Sequence, residues 1–290
     1  MSGQLRALKT RIRSVESTRK ITRAMEMISA AKLNRYQDMM AKGQAYADNL
    51  AKLLARASRS GKLTVSHPFL EPREVKKTAL VLITSDMGLC GSYNLELSHR
   101  ARSVAGERGP GTVLIGIGKF GVRFLQRSNL SFHRTFSDLK AAGIETFLGE
   151  LRGVLDELYS SGTVDAIDVL YGRCLSKSSY AYALERLLPL ERPEAEASEI
   201  PGESHAEYIF EPDENTIFTR LIPLFFEAKV RQIFLESFVS EQIARMQAMH
   251  MATENASEMI DRLVIQRNKV RQAAITREII EVVSGARALK

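Results

Sequence analysis

The residues best spaced for chemistry are three glycines, Gly116-x-Gly118-x-x-Gly121, with an acid, Asp138, 17 residues beyond the last of them. Between a strand and a helix, such a loop seats a pyrophosphate on the backbone N–H groups of the helix N-terminus, and the acid takes the ribose hydroxyls. A dinucleotide-binding enzyme built on Gly116–Gly121 is therefore one reading. The other is a tight glycine turn, and it is favoured. Lys119 and Phe120 fill the loop, and Phe136–Leu139 does not read clearly as the end of a second strand. Ser85–Ser92 (SDMGLCGS) is a second loop of small residues, but it lacks the Lys-Ser/Thr of a nucleotide-binding P-loop. Cys90 stands where a helix start would favour a thiolate; with no histidine at a telling distance, a packed structural cysteine is the favoured reading. His67, His99, His133, His205 and His250 form no metal-binding spacing, and Cys90 and Cys174 are too far apart in sequence to suggest a zinc site or a disulfide framework. A reducing compartment follows as the default. No catalytic constellation emerges, so neither a cofactor nor a metal is expected.

These loops must hang on strands. Ala79–Thr84, Thr112–Ile117 and Asp165–Tyr171 are short runs rich in Val, Ile and Leu and read as buried strands, with Ala183–Leu188 and Glu207–Phe210 as two more. Helical stretches lie near Tyr93–Ala105, Lys119–Gln126 and Ile144–Ser160. Alternation of strand and helix predicts a small Rossmann-like α/β domain with a mostly parallel sheet, over residues 75–212.

The two ends of the chain differ from this middle. Residues 1–60 hold 13 of the 41 basic residues and 4 of the 34 acidic ones, so the net charge of +7 resides there and calls for an acidic partner. Leu5, Leu8, Ile12 and Val15 recur at helical steps, and after Thr18 and Arg19 the stripe resumes at Ile21, Met25 and Ile28. A helix from about Gly3 to Ser58 is predicted, with Gly43 as its first candidate breaker; at about 1.5 Å per residue it is too long for a compact domain of this size. At the other end, Leu224–Ser284 has no Pro or Gly. Met246, Met249, Thr253, Ala256, Ile260, Leu263, Arg267, Val270 and Ala274 alternate steps of three and four, the seam of a left-handed coiled coil, and Gly285 reads as its C-cap. Residues 1–60 and 213–290 are expected to pair as an antiparallel coiled-coil stalk. Met27, Met39, Met40, Ile279, Ile280, Val282 and Val283 would stay uncovered on a lone chain, which implies that another protein wraps it.

With 44% apolar and 26% charged residues the chain is not disordered, and it contains no apolar run near the roughly 20 residues of a membrane span. Arg6, Lys9, Arg11 and Arg13 lack the apolar stretch of a secretory signal. A basic coiled-coil nucleic-acid-binding protein is a rival reading, but residues 1–60 interleave only Tyr36 and Tyr46 among the cations and the heptads would have no use.

Lys20–Lys32 (KITRAMEMISAAK), Ser85–Asn94 (SDMGLCGSYN), Leu187–Leu190 (LLPL), Glu211–Asp213 (EPD), Ser240–Ala256 (SEQIARMQAMHMATENA) and Asn268–Ala286 (NKVRQAAITREIIEVVSGA) resemble, in order, the segments of the gamma subunit family of F-type ATP synthases. The resemblance spans nearly the whole chain. It departs at Met87, where the family usually has Arg, at Ser92 for Gly, and at Arg277 for Gln. It implies a non-catalytic rotor shaft in one copy per complex, inside a ring of alpha and beta subunits. The foot would rest on the membrane c-ring beside the epsilon subunit, at the cytoplasmic face of the cell membrane as a peripheral protein, with no nucleic acid bound. By the same resemblance Lys20, Arg23 and Met25 would meet an acidic stretch of beta. Glu241, Arg245, Thr276 and Arg277 would serve coupling and the upper bearing, while Tyr208, Phe210 and Glu211 would face the c-ring.

Overall fold

The computed structural model describes residues 2–59, 67–71, 73–139, 143–191 and 213–288. Helix α1 runs Ser2–Arg59 and passes through Gly43 without a break. A single 3-10 turn at Pro68–Leu70 precedes β1 (Thr78–Ile83), α2 (Tyr93–Arg108), β2 (Val113–Ile117), α3 (Lys119–Arg127) and β3 (Arg134–Phe136). Then follow α4 (Ile144–Ser160), β4 (Ala166–Ser176), β5 (Ser179–Leu188) and α5 (Glu214–Ala288). The chain divides into two compact units, one of residues 1–31 with 245–290 and one of residues 32–244. These divisions fall at other residues than the expected stalk and foot boundaries.

In the larger unit the strand order is β3-β2-β1-β4-β5, parallel except for the β4–β5 hairpin. The mostly parallel Rossmann-like α/β sheet expected from the sequence is present. Parallel strands need helices on both faces, and β1 shows the consequence: all six of its residues are buried. Leu80 and Leu82 pack with Tyr93, Leu97 and Ala101 of α2 and Leu125 of α3. Val81 and Ile83 face Leu151 and Leu155 of α4 and Val230, Ile233 and Phe234 of α5. β3 has only three residues, two of them exposed, so it carries no hydrophobic period to read. The β4–β5 hairpin extends Ala183–Leu188 back to Ser179, whereas Glu207–Phe210 lies outside the described residues.

Helix α5 starts ten residues before Leu224. Asp213 caps it, accepting from the Thr216 backbone N–H at 2.8 Å, and the helix continues through Pro223. Gly285 does not end it, because α5 carries on to Ala288. None of the described helices is long and apolar enough to cross a membrane.

In the smaller unit the two helices run antiparallel: Glu26 meets His250, Thr22 meets Thr253, and Leu8 and Ile12 pack with Leu263. All nine expected seam positions, Met246 to Ala274, are buried or half-buried. The descending register brings the start of α1 level with about Val270. Every described side chain from Ile275 to Arg287 is exposed, so the last turns of α5 outrun their partner.

Candidate functional site

The glycine loop comes closer to a dinucleotide fingerprint than its sequence indicated. It follows β2 and opens α3, and Asp138 lies two residues past the neighbouring parallel strand β3. Yet the seat is filled by the chain itself. The Lys119 N–H donates to Asp86 Oδ1 (3.1 Å), the Phe120 N–H to the Ser85 carbonyl (3.2 Å) and the Gly121 N–H to Thr84 Oγ1 (3.0 Å). Asp86 Oδ2 accepts from the Leu139 N–H, and Asp138 pairs with Lys119 Nζ at 2.6 Å. The first amides of α3 thus hold a carboxylate, a carbonyl and a hydroxyl where a phosphate would have to sit.

The glycines answer to packing. Gly118 has φ +90, and a Cβ there would lie 2.1 Å from the Thr84 carbonyl oxygen. At Gly121 a Cβ would press on Thr84 and Leu82, and at Gly116 on Val122 and Phe132. The dinucleotide reading is therefore set aside in favour of the glycine turn.

Cys90 is buried, and its Sγ accepts from Asn94 Nδ2 at 3.1 Å. Asn94 also bonds the Ser85 hydroxyl and accepts from the Ser85 backbone N–H. Its surroundings fix the loop after β1, which is a packing role. No cluster of metal-ligating side chains occurs among the described residues.

The helical pair carries a different kind of site, a surface. Arg19, Lys20 and Arg23 line an open cleft of about 460 Å³ together with Ala24, Met27 and Thr253. Arg23 is 61% exposed and loosely paired with Glu26 (3.3 Å), so three cations share one strip of surface. Met25 is half-buried and is not part of that cleft.

The apolar stripe expected at Ile21, Met25 and Ile28 is out of phase with the packing. Ile21, Met27 and Ile28 are all more than half exposed, while Thr22 and Ser29 are buried. The seam tolerates this because it is polar and closely packed at that level: the Thr253 hydroxyl bonds Thr22 Oγ1 at 2.8 Å, and Ala256 is buried one turn along. Sequence periodicity put the large residues inside; close approach of two backbones put the small ones there instead. Spacing alone did not reveal the Thr22–Thr253 contact, although the pair's own small size was the available signal.

The remaining candidates fall in separate places. Glu241 is half-buried in the larger unit; burial above all, and then the Glu241 charge, raise the pKa of the Tyr36 hydroxyl above the ordinary tyrosine value. Arg245 is buried. Thr276 and Arg277 are exposed, about 46 Å further along the same helix at 1.5 Å per residue. Tyr208, Phe210 and Glu211 lie outside the described residues. Ile279, Ile280, Val282 and Val283 are exposed as expected. Met39 and Met40 are not, being half-buried; Met39 joins Tyr46, Leu224 and Leu235 along a groove between α1 and α5 in the larger unit.

A family model described as ATP synthase matches residues 4–289. The chain is 39% identical over 291 residues to an ATP synthase gamma chain of Pelotomaculum thermopropionicum, covering 99% of both chains. It is 38% identical over 288 residues to that of Moorella thermoacetica, covering 99% of this chain and all of the relative. Among solved structures, a chain of the Euglena gracilis mitochondrial ATP synthase in an OSCP/F1/c-ring assembly superposes with a TM-score of 0.68 at 17% identity, over all of this chain and 95% of that one. A chain of the rotor of the same organism's synthase gives 0.64, at 17% identity, over 95% of this chain and all of that one. Matching end to end at more than a third identity, over the seam, the loop after β1 and the sheet alike, the chain belongs to the ATP synthase gamma chain family.

Proposed function

We propose that the chain is the non-catalytic central-stalk rotor subunit of an F-type ATP synthase, coupling ion flow through a membrane c-ring to ATP synthesis or hydrolysis on alpha and beta subunits around it. The observation that carries this reading is the inverted polarity of the helical pair: Thr22 and Ser29 inside, Ile21, Met27 and Ile28 outside, and an uncovered apolar end at Ile275–Val283. Apolar side chains in such number on a two-helix unit call for a sheath of other protein. The cations Arg19, Lys20 and Arg23 suit an acidic part of that sheath.

A shaft biases a surrounding site only by the difference in its contact free energy with the site's conformers. Two unlike helices present a different face in each direction, so equivalent sites around them feel different contacts, and rotation exchanges those contacts. One exposed ion pair contributes only about 0–1 kcal/mol, so the work must be spread over many contacts. Within this reading Lys20, Arg23 and Met25 meet beta, Glu241, Arg245, Thr276 and Arg277 serve coupling and the bearing, and Tyr208, Phe210 and Glu211 face the c-ring. The epsilon subunit would dock on the foot, and the complex would lie at the cytoplasmic face of the cell membrane.

The nucleic-acid reading loses one of its two aromatics, since Tyr36 is buried and stacked on Phe238, and a single exposed Tyr46 makes no stacking platform. The test is purification of the tagged chain from its own cells. One copy with a nucleotide-hydrolysing alpha/beta hexamer is expected, together with weakened coupling of synthesis to ion flow in Arg23→Glu. Recovery without a hexamer would overturn the proposal.

A further inference from the structure

Most of the contact between α5 and the sheet is apolar: Val230, Ile233 and Phe234 against Val81, Ile83, Val169 and Leu187, with a gap of only about 10 Å³ between them. Such contact opposes separation but is non-directional, so it does little to stop a helix rolling about its own axis. Flanking ion pairs, Lys229 with Glu185 and Arg152 with Glu227, are partly solvated and adaptable.

One turn further on the character changes. Tyr93 Oη, at the start of α2, lies 3.1 Å from the Ser237 carbonyl and 3.1 Å from its hydroxyl. The Ser240 hydroxyl donates to the Gly172 carbonyl of β4 at 2.8 Å. All three side chains are at most 3% exposed, so no water replaces these bonds when they break. Burial holds the Tyr93 hydroxyl protonated far above the ordinary tyrosine range, which keeps it a donor. Ser237 and Ser240 are three residues apart, on one face of α5. The fit is also tight. A Cβ on Gly172 would lie 2.7 Å from the Tyr93 ring and 3.0 Å from Ser240 Cβ. Directional bonds from two elements, α2 and β4, thus meet one face of α5 where there is no space to turn.

We propose that Tyr93, Gly172, Ser237 and Ser240 form the torsional anchor of α5, the place where turning moment passes between the sheet unit and the helix that continues into the helical pair. The inference rests on the rotor reading. These are positioning residues: they hold the angle of the shaft and touch no reacting group.

The experiment compares complexes reconstituted with the wild-type chain, Tyr93→Phe/Ser240→Ala and Ser240→Ala, each scored for ATP hydrolysis and ATP-driven ion pumping. The wild-type complex comes first; if it does not couple the two, the rotor reading fails and the anchor with it. Given coupling, the double variant is expected to hydrolyse ATP at near the wild-type rate. It should pump about fivefold fewer ions per ATP, the scale of one to two lost hydrogen bonds. Ser240→Ala, the milder change, is expected to show the same split to a smaller degree and serves if the double variant does not assemble. Pumping per ATP equal to wild type in the assembled variants, or hydrolysis and pumping falling in proportion, would overturn the anchor.

Discussion

The two units bury their side chains by different rules. In the sheet unit Leu80, Ile115, Leu155 and Val164 are wholly enclosed. Aromatic rings run in series from Phe136 through Phe147 and Phe234 to Phe238 and Tyr36. In the helical pair the best-covered apolar residues, Met249, Ile12, Leu263, Ala256, Leu8 and Ile260, still show 5–8% of their surface, and the core cluster there has only Leu8, Ile12 and Leu263 as its buried members. The sheet unit satisfies itself. Around Thr22 and Thr253 the pair packs small and polar residues in its seam and leaves Ile21, Met27 and Ile28 on its surface.

The sharpest way to test that contrast is to cut the same side chain in both units. Leu155→Ala, in a wholly enclosed site, should cost about 3–5 kcal/mol, and Leu263→Ala, in a seam open at its sides, about 2 kcal/mol or less. Denaturant titration reads the first; hydrogen exchange within residues 245–270 reads the second. Equal losses would mean that the pair is packed as fully as the sheet unit.

A smaller effect should appear with pH. Glu236 sits on α5 near Tyr171, Glu185 and Arg173, and burial raises its carboxyl, with Gln232 and Arg173 offsetting part of this. Because the folded value is the higher one, the favourable contribution is present below the unfolded carboxyl value and is lost as pH rises through the folded one. Glu236→Gln should therefore flatten the fall in melting temperature across that window. A slope unchanged by the substitution would count against a half-buried carboxylate whose pKa burial raises there.

The smallest effect on stability belongs to the overrunning end of α5. Ile280→Gln should change the isolated chain's unfolding free energy by no more than about 0.5 kcal/mol. In the assembled complex the same change should weaken retention of the shaft. A marked loss of stability in the isolated chain would mean that this end is covered by its own unit.

Much of the fold was legible because long elements have strong periods. Ile144–Ser160 matched its expected bounds, and the nine seam positions of α5 were read from steps of three and four. β3 was not, since three residues with two exposed give no alternation. Helix ends were misread at Gly285 because a helix already many turns long tolerates a glycine at a cost of only about 1 kcal/mol. The phase of α1 near Ile21 was lost for a deeper reason. Hydrophobic periodicity assumes that the chain buries its own large side chains, and a surface built for a partner breaks that assumption. Lys20 and Arg23 share a cleft with Arg19, which sequence reasoning did not single out because it reads only as a polar position between two apolar stretches.

Asp86 has a further consequence. Together with Ser85 and Thr84 it occupies the amides that open α3, so this loop of a nucleotide-shaped fold offers a pyrophosphate no free seat. A rotor subunit gains from this: no phosphate group competes for the turn that joins β2 to α3, and the packing of that turn is set by the chain's own groups.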